Sequence, residues 1–150
     1  MTPETLFLVF NNGILLGWLL LVFAPNWRWT HRIVHSFWIP LVIAAGYCFA
    51  LVSGAGQADE NASFSSLSGV MLFFASPWSA LAGWLHYLVF DLFVGAWEVR
   101  DAQRRGIPHG WVIVCLVFTL MFGPIGLGLY ALVRGAKGMG LALQEAEASP

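Results

Sequence analysis

The sequence predicts an all-α fold, a polytopic membrane helix bundle of about four transmembrane helices with a short interfacial helix. Two features of composition lead to this prediction: hydrophobic residues make up 59% of the 150 residues, and charged residues only 10%. A soluble domain usually carries roughly 25% charged residues, so a soluble chain of this composition could not cover its surface with polar groups. We therefore expect lipid around a single integral membrane domain that covers residues 1–150.

Four apolar stretches are long enough to cross a bilayer, whose core of about 30 Å needs roughly 20 helical residues. The predicted spans are about residues 5–24, 33–53, 78–97 and 110–133. Asp91 lies in the third span, and the other three contain no Asp, Glu, Lys or Arg. The first stretch is interpreted as a retained helix and not as a signal peptide, because no positive charge precedes it.

Two further segments complete the predicted organisation. Residues 64–76 are apolar but too short to span, and Phe64, Leu67, Met71 and Phe74 recur at helical spacing. This pattern favours an interfacial or re-entrant helix, with a loop packed over the bundle as the alternative. A short C-terminal tail is expected over residues 135–150.

Loop charges predict the orientation, since cytoplasmic loops are enriched in Lys and Arg. The first and third loops together carry five arginines, so both are expected on the cytoplasmic side and both termini on the other: Arg28, Arg32, Arg100, Arg104 and Arg105. Arg134 and Lys137 conflict with this orientation. The Gly123-Pro124 pair in the middle of the fourth stretch predicts a kink there, because proline removes a helical hydrogen bond.

Asp91 is the clearest candidate for chemistry, because an aspartate near the centre of a membrane helix costs roughly 2.5–3.5 kcal/mol on insertion scales. Trp84, Tyr87, Asp91, Gly95 and Glu98 are three or four residues apart, so they share one helix face. We predict proton transfer, with Asp91 as general acid, Glu98, closer to water, as base, and the neighbouring His86 and Tyr87 as further candidates. The structural alternative is that Asp91 only fixes helix register.

Other classes of function receive less support from the sequence. His31 and His35 share a helix face, and with His109 and Glu98 or Asp101 they could bind a metal; interfacial imidazoles are more often solvated, so no metal site and no cofactor is assigned. A net charge of −1 with scattered basic residues argues against a nucleic-acid partner. Membrane lipids are the expected partners, and a small-residue pair, Gly13 and Gly17, would suit a homodimer.

Three segments in the C-terminal half form a distinctive pattern over about residues 84–130: WLHYLVFDLFVG at 84–95, GIPH at 106–109 and LMFGPIGLGLY at 120–130. This pattern resembles the abscisic-acid-deficient-four-like family, which includes a plant plastid protein. The N-terminal part fits more loosely, through Asn12, Trp18, Pro25 and Trp27. One departure is Ala96, where we expect an arginine after the glycine.

The resemblance implies carotenoid biosynthesis by a neoxanthin synthase-like isomerase. Turning violaxanthin into neoxanthin opens an epoxide and leaves an allene, which requires an acid and a base but no net redox change. Asp91, Glu98, His86 and Tyr87 are residue types suited to that reaction, and the carotenoid would lie in a groove lined by Trp84, Phe90 and Phe93.

Alternatives to this function stay open at this point. One is a non-enzymatic module that binds a pigment or lipid or stabilises a partner, and a weaker one is a haem or metal protein. Because no transit peptide is visible, we expect a bacterial inner membrane, or a plastid membrane for a plant-type relative.

Overall fold

The computed structural model describes residues 1–143, and every regular element in this part of the chain is an α-helix. The all-α prediction is therefore confirmed for these residues, and the last seven residues of the predicted tail, 144–150, lie outside them. Seven helices occur in the described part: α1 (Pro3–Phe23), α2 (Arg28–Ile33), α3 (Trp38–Ser53), α4 (Leu67–Phe74), α5 (Pro77–Arg104), α6 (His109–Phe122) and α7 (Pro124–Ala136).

Two of these helices, α1 and α5, are long and apolar enough to cross a membrane. They have 21 and 28 residues, which at 1.5 Å per residue gives lengths of about 31 Å and 42 Å. The helices α3 and α6 are apolar but have only 16 and 14 residues. Two of the four predicted spans thus have the required length, and an arrangement of four spans stays a prediction.

The fourth predicted span is two helices, and the prediction of a single kinked helix over residues 110–133 is wrong. The break is at Gly123, whose φ of +43° lies in the left-handed region that glycine tolerates best. Pro124 begins α7, where a missing N–H costs no helical hydrogen bond.

The chain reverses direction at this break. A Cβ added at Gly126 would overlap the backbone nitrogen of Thr119, although seven residues of straight helix would separate them by roughly 10 Å. The two helices therefore fold back on each other, and we call them the α6–α7 hairpin.

The chain divides into two compact units, where the sequence predicts a single domain. Unit 1 comprises Met1–Leu16 and Ser36–Phe90, and unit 2 comprises Gly17–His35 and Asp91–Pro150, described to residue 143. Each of the long helices α1 and α5 contributes its first part to unit 1 and its second part to unit 2.

Unit 1 is packed through glycines that face aromatic rings. A Cβ at Gly46 would meet the ring of Phe10, and one at Gly83 would meet Phe74. The short helix α4 lies within the segment predicted to be interfacial, and Ser66 caps it by accepting a hydrogen bond from the Gly69 N–H at 3.1 Å. The position of α4 relative to a bilayer stays a prediction.

Hydrogen bonds connect separate segments of unit 2. The Thr30 hydroxyl donates to the Ala24 carbonyl at 2.7 Å, and His109 Nε2 donates to the Val22 carbonyl at 2.9 Å. Gly95 is the counterpart of the unit 1 glycines, since a Cβ there would meet the ring of Trp18 at 2.8 Å. These contacts hold the end of α1 beside α5 and α6.

Candidate acid–base site

Three carboxylates lie along one face of α5 in unit 2. Asp91, Glu98 and Asp101 are seven and three residues apart, which places them on the same side of a helix. Each of the three faces the α6–α7 hairpin. The hairpin is therefore held by the acidic face of α5.

Glu98 is fully buried, with 0% of its surface exposed. The Thr119 Oγ1 lies 3.0 and 3.1 Å from its two carboxylate oxygens and 3.0 Å from the Cys115 carbonyl oxygen. The expectation that Glu98 lies closer to water is wrong, because α6 covers this position and supplies the hydroxyl. Glu98 thus lies in a closed polar site between α5 and α6.

Asp91 lies against the turn of the hairpin. The residue is half-buried, and its Oδ1 lies 2.9 Å from the position that a Cβ on Gly123 would occupy. Glycine at 123 therefore serves both the positive φ and the close approach of this carboxylate.

Asp101 has the densest set of partners, and the sequence suggested it only as a metal ligand. Its carboxylate accepts hydrogen bonds from the Tyr130 hydroxyl at 2.8 Å and from Arg105 Nε at 2.9 and 3.0 Å. Arg134 Nη1 lies 3.5 Å away, and both Tyr130 and Arg134 are buried. This cluster fixes the end of α7 beside the end of α5.

The cluster also corrects the predicted placement of Arg134 relative to the third loop. A single span over residues 110–133 would carry Arg134 to the end opposite the arginines of the third loop. In the structure Arg134 contacts Asp101, three residues before Arg104. The chain reversal at Gly123 is the reason, and it removes the conflict among the basic residues.

His86 and Tyr87, the other two predicted catalytic residues, lie in unit 1, whereas Asp91 and Glu98 lie in unit 2. His86 is exposed, and its ring packs 4.6 Å from Phe90. Tyr87 is half-buried and packs 5.2 Å from Trp84. The four predicted catalytic residues are therefore divided between the units, and only Asp91 and Glu98 belong to the carboxylate face in unit 2.

The three predicted ligand-binding residues, Trp84, Phe90 and Phe93, are all exposed. Trp84 donates its indole N–H to Asn11 Oδ1 at 3.1 Å and packs 5.8 Å from Phe7. It lines an apolar groove of about 480 Å³ in unit 1, together with seven residues from the starts of α1 and α5: Pro3, Glu4, Phe7, Leu8, Pro77, Ala80 and Leu81. Phe90 and Phe93 do not line this groove.

The histidines do not assemble a metal site within residues 1–143, where no group of three His, Cys, Asp or Glu side chains is placed to hold an ion. The rings of His31 and His35 lie 5.2 Å apart, but His109 is bonded to the Val22 carbonyl. His35 Nδ1 accepts from Arg100 Nη1 at 3.0 Å. Burial, with Arg100 and His31 nearby, lowers the pKa of His35 to about 4.

Asp101 was the part of the site that sequence spacing could have revealed, since it continues the seven- and three-residue pattern of Asp91 and Glu98. Thr119, Tyr130 and Arg134 carry no such signal. Their roles depend on the reversal at Gly123, which brings both helices of the hairpin against α5.

Comparison with known proteins agrees with the resemblance seen in the sequence. The family model described as ABA DEFICIENT 4-like matches residues 5–130, a range that includes the three carboxylates and Tyr130. The Arabidopsis thaliana protein named "Protein ABA DEFICIENT 4, chloroplastic" is 26% identical over 132 residues. That match covers 83% of this chain and 58% of the relative, so the chain spans a little over half of the relative's length.

No solved structure matches the chain. The name of the Arabidopsis relative places that protein in the chloroplast, and the comparison gives no support to the expected bacterial inner membrane. Because the family model covers most of the chain, this protein belongs to the ABA DEFICIENT 4-like family.

Proposed function

We propose that this protein is an integral membrane isomerase that acts on a carotenoid or a related isoprenoid lipid by acid–base chemistry, with Asp91 as the reacting group. The observation that carries the proposal is the pairing of Asp91 with the hairpin turn and of Glu98 with Thr119, inside the segment that the family model matches. Buried carboxyl groups on one helix face are costly to keep, which favours a task for them.

Residence in a membrane is supported by the lengths of α1 and α5 and by the distribution of charge. All the basic residues of the chain lie in unit 2, and we call this set the cationic end: Arg28, Arg32, Arg100, Arg104, Arg105, Arg134 and Lys137. Unit 1 contains no Lys or Arg. An uneven distribution of basic residues along the chain is typical of membrane proteins, in which Lys and Arg are enriched on the cytoplasmic side or its equivalent.

The proposed reaction is the opening of an epoxide to an allenic alcohol. An acid gives its proton to the epoxide oxygen while the carbon–oxygen bond breaks. A base removes a proton from the carbon next to the ring, and that electron pair forms the second double bond of the allene. One proton is given and one is taken, so the product is an isomer and no oxidant or reductant is required.

Exposure favours Asp91 as the group that meets the substrate. Asp91 is half-buried, whereas Glu98 is closed off by α6. The single hydrogen of the Thr119 hydroxyl faces three acceptors, the two oxygens of Glu98 and the Cys115 carbonyl. A proton on Glu98 would relieve this competition, since Glu98 could then donate to Thr119 and Thr119 to Cys115. We therefore place Glu98 as a proton store behind Asp91.

The conversion of a carotenoid epoxide by the purified protein in lipid tests this function. The wild type should form an isomer of unchanged mass, and Asp91→Asn should lower the rate at least about 100-fold, the usual contribution of a general acid. Glu60→Gln is the matched control, because Glu60 is an exposed carboxylate in a unit 1 loop. Equal rates in Asp91→Asn and in the wild type would reject the proposed role of Asp91.

A second candidate function is a module that binds a pigment or lipid without changing it. Two grooves in unit 1 favour it, since one is lined by Trp84 and another of about 310 Å³ is lined by Val9, Phe10, Gly13 and neighbouring apolar residues of α3. Extraction of the purified protein followed by mass spectrometry separates the candidates. A bound polyene that is the same compound in the wild type and in Asp91→Asn supports the binding module.

A homodimer also stays a proposal, and the structure describes its predicted face. Gly13 is open, with no atom within 4 Å of an added Cβ, whereas Gly17 is buried. Only Gly13 is thus available to a second copy.

A further inference from the structure

The charges of unit 2 are unevenly distributed between its interior and its surface. Residues 17–35 and 91–143 of this unit contain seven basic residues and three carboxylates. Glu98 and Asp101 are buried, and half-buried Asp91 lies at the hairpin turn. Four of the basic residues are exposed: Arg28, Arg32, Arg104 and Lys137. In this part of the chain the exposed charge is therefore entirely positive.

Contacts within unit 2 gather these basic residues at one end. Gln103 Nε2 donates to Asn26 Oδ1 at 2.9 Å, two residues before Arg28. Arg100 Nη1 lies 3.0 Å from His35 Nδ1, and Arg134 Nη1 lies 3.5 Å from Asp101. The segment that carries Arg28 and Arg32, the end of α5 and the end of α7 are thus neighbours, and their positive charges add.

Exposed tryptophans lie among these cations. Trp27, Trp29 and Trp111 are 51%, 38% and 57% exposed. The guanidinium carbons of Arg28 and Arg32 each lie 5.4 Å from the ring of Trp29. Tryptophan is enriched at the headgroup level of bilayers, so exposed indole rings beside the charges favour a lipid surface as the partner.

We propose that the cationic end binds the anionic headgroups of membrane lipids, such as phosphodiester groups that carry a net negative charge. This inference rests on the proposed membrane location. Each Lys or Arg near a negative lipid surface contributes about a fivefold preference, and the preference is screened by salt. Arg28 and Arg32 are the principal contacts, since both are exposed and held beside Trp29.

Quenching of tryptophan fluorescence by brominated lipids tests the proposal in the full chain. The protein is reconstituted in phosphatidylcholine vesicles that contain equal mole fractions of either brominated phosphatidylglycerol or brominated phosphatidylcholine. The anionic lipid should associate with the protein at least about fivefold more strongly than phosphatidylcholine at low salt. The ratio of these two association strengths should approach one in 1 M salt, where the screening length is about 3 Å.

Variants at the two arginines locate the effect. Arg28→Gln with Arg32→Gln should lower the ratio several-fold, whereas Arg28→Lys with Arg32→Lys, which keeps both charges, should preserve it. A ratio of one in the reconstituted wild type at low salt, or a ratio that salt does not change, would overturn the lipid preference alone. The salt series in the wild type gives this decision even if the glutamine variant fails to fold.

Flotation of the vesicles after alkaline extraction tests the membrane location separately from the lipid preference. A protein that floats with the vesicles is embedded, so equal quenching by the two lipids then counts only against the lipid preference. A protein that is stripped from the vesicles would reject both the membrane location and the lipid preference.

Discussion

The contacts that pack the inside of unit 1 differ from those that pack the inside of unit 2. In unit 1 glycines let aromatic rings approach, as Gly46 does for Phe10 and Gly83 for Phe74. In unit 2 carboxylates of α5 meet hydroxyl, guanidinium and backbone groups of the hairpin. The same long helix, α5, therefore serves apolar packing along its first part and polar bonding along its second. The proposed chemistry belongs to the polar part.

The contrast also predicts how each unit responds to substitution. At an apolar contact, the loss of stability grows with the volume that a substitution adds, and an aromatic ring that can rotate away relieves part of the strain. Buried hydrogen bonds are less forgiving, because a carboxylate that loses its donor keeps the full cost of burial. Substitutions in the hairpin should therefore lower the free energy of unfolding more than comparable substitutions in unit 1.

The largest effect is expected at Gly126. Its added methyl would overlap backbone atoms of Thr119, which cannot move aside as a side chain can, so Gly126→Ala should lower the free energy of unfolding by about 3 kcal/mol or more. Gly128→Ala is the matched control in the same helix, since no atom lies within 4 Å of its added Cβ. Denaturant titrations in detergent should show Gly128→Ala unchanged or slightly more stable; equal losses at both glycines would contradict the hairpin.

The next effect concerns the bond between Tyr130 and Asp101. Tyr130→Phe keeps the ring against Trp97, whose centroid lies 5.5 Å away, and removes only the hydroxyl that donates to Asp101 at 2.8 Å. The expected loss is about 1.5–3 kcal/mol, as for hydrogen bonds to charged groups. A double-mutant cycle with Asp101→Asn checks the assignment, and additive losses would show that the two groups do not interact.

A smaller loss is expected at Thr119. Thr119→Val keeps the shape of the side chain and deprives Glu98 of its hydroxyl partner, which should cost about 1–2 kcal/mol. Thr119→Ser retains the hydroxyl and should recover most of this loss when both variants are compared by denaturant titration in detergent. A serine variant as unstable as the valine variant would assign the effect to the methyl group and not to the bond with Glu98.

The last effect, which is absent at neutral pH, is a pH dependence from His35. Its pKa in the folded protein is about 4, below the usual 6.5, so between these values the unfolded chain binds more protons than the folded one. Stability should be unaffected above pH 6.5 and should fall as the pH drops toward 4, by less than about 1.4 kcal/mol per pH unit. Thermal unfolding of the wild type and of His35→Gln checks this, and parallel profiles over that range would contradict the shift.

The sequence predicted the elements of unit 1 better than the contacts of unit 2. Hydropathy indicated the helices because a run of apolar residues is a local signal. It also placed a short helix within residues 64–76, where α4 is found. The Gly123-Pro124 pair indicated a break but not its angle, since a proline is compatible with a kink and with a complete reversal.

The candidate site was partly predictable for the same reason. Asp91 and Glu98 were recognised because charge inside an apolar helix is conspicuous in a sequence. The burial of Glu98 was missed because it depends on α6, and the roles of Tyr130 and Arg134 were missed because both depend on the direction of α7. Contacts between distant segments have no signature in the spacing of residues along one helix.

The reversal of the chain at Gly123 positions both α6 and α7 against α5, and a distance measured across the hairpin tests it. Gly110 and Gly135 lie near the outer ends of α6 and α7, and no atom lies within 4 Å of an added Cβ at either glycine. Spin labels are attached at Gly110→Cys and Gly135→Cys after Cys48 and Cys115 are replaced by alanine. A folded hairpin predicts a distance under about 25 Å, since packed helices lie 8–10 Å apart. A continuous helix over these residues would give about 38 Å, and that result would contradict the hairpin.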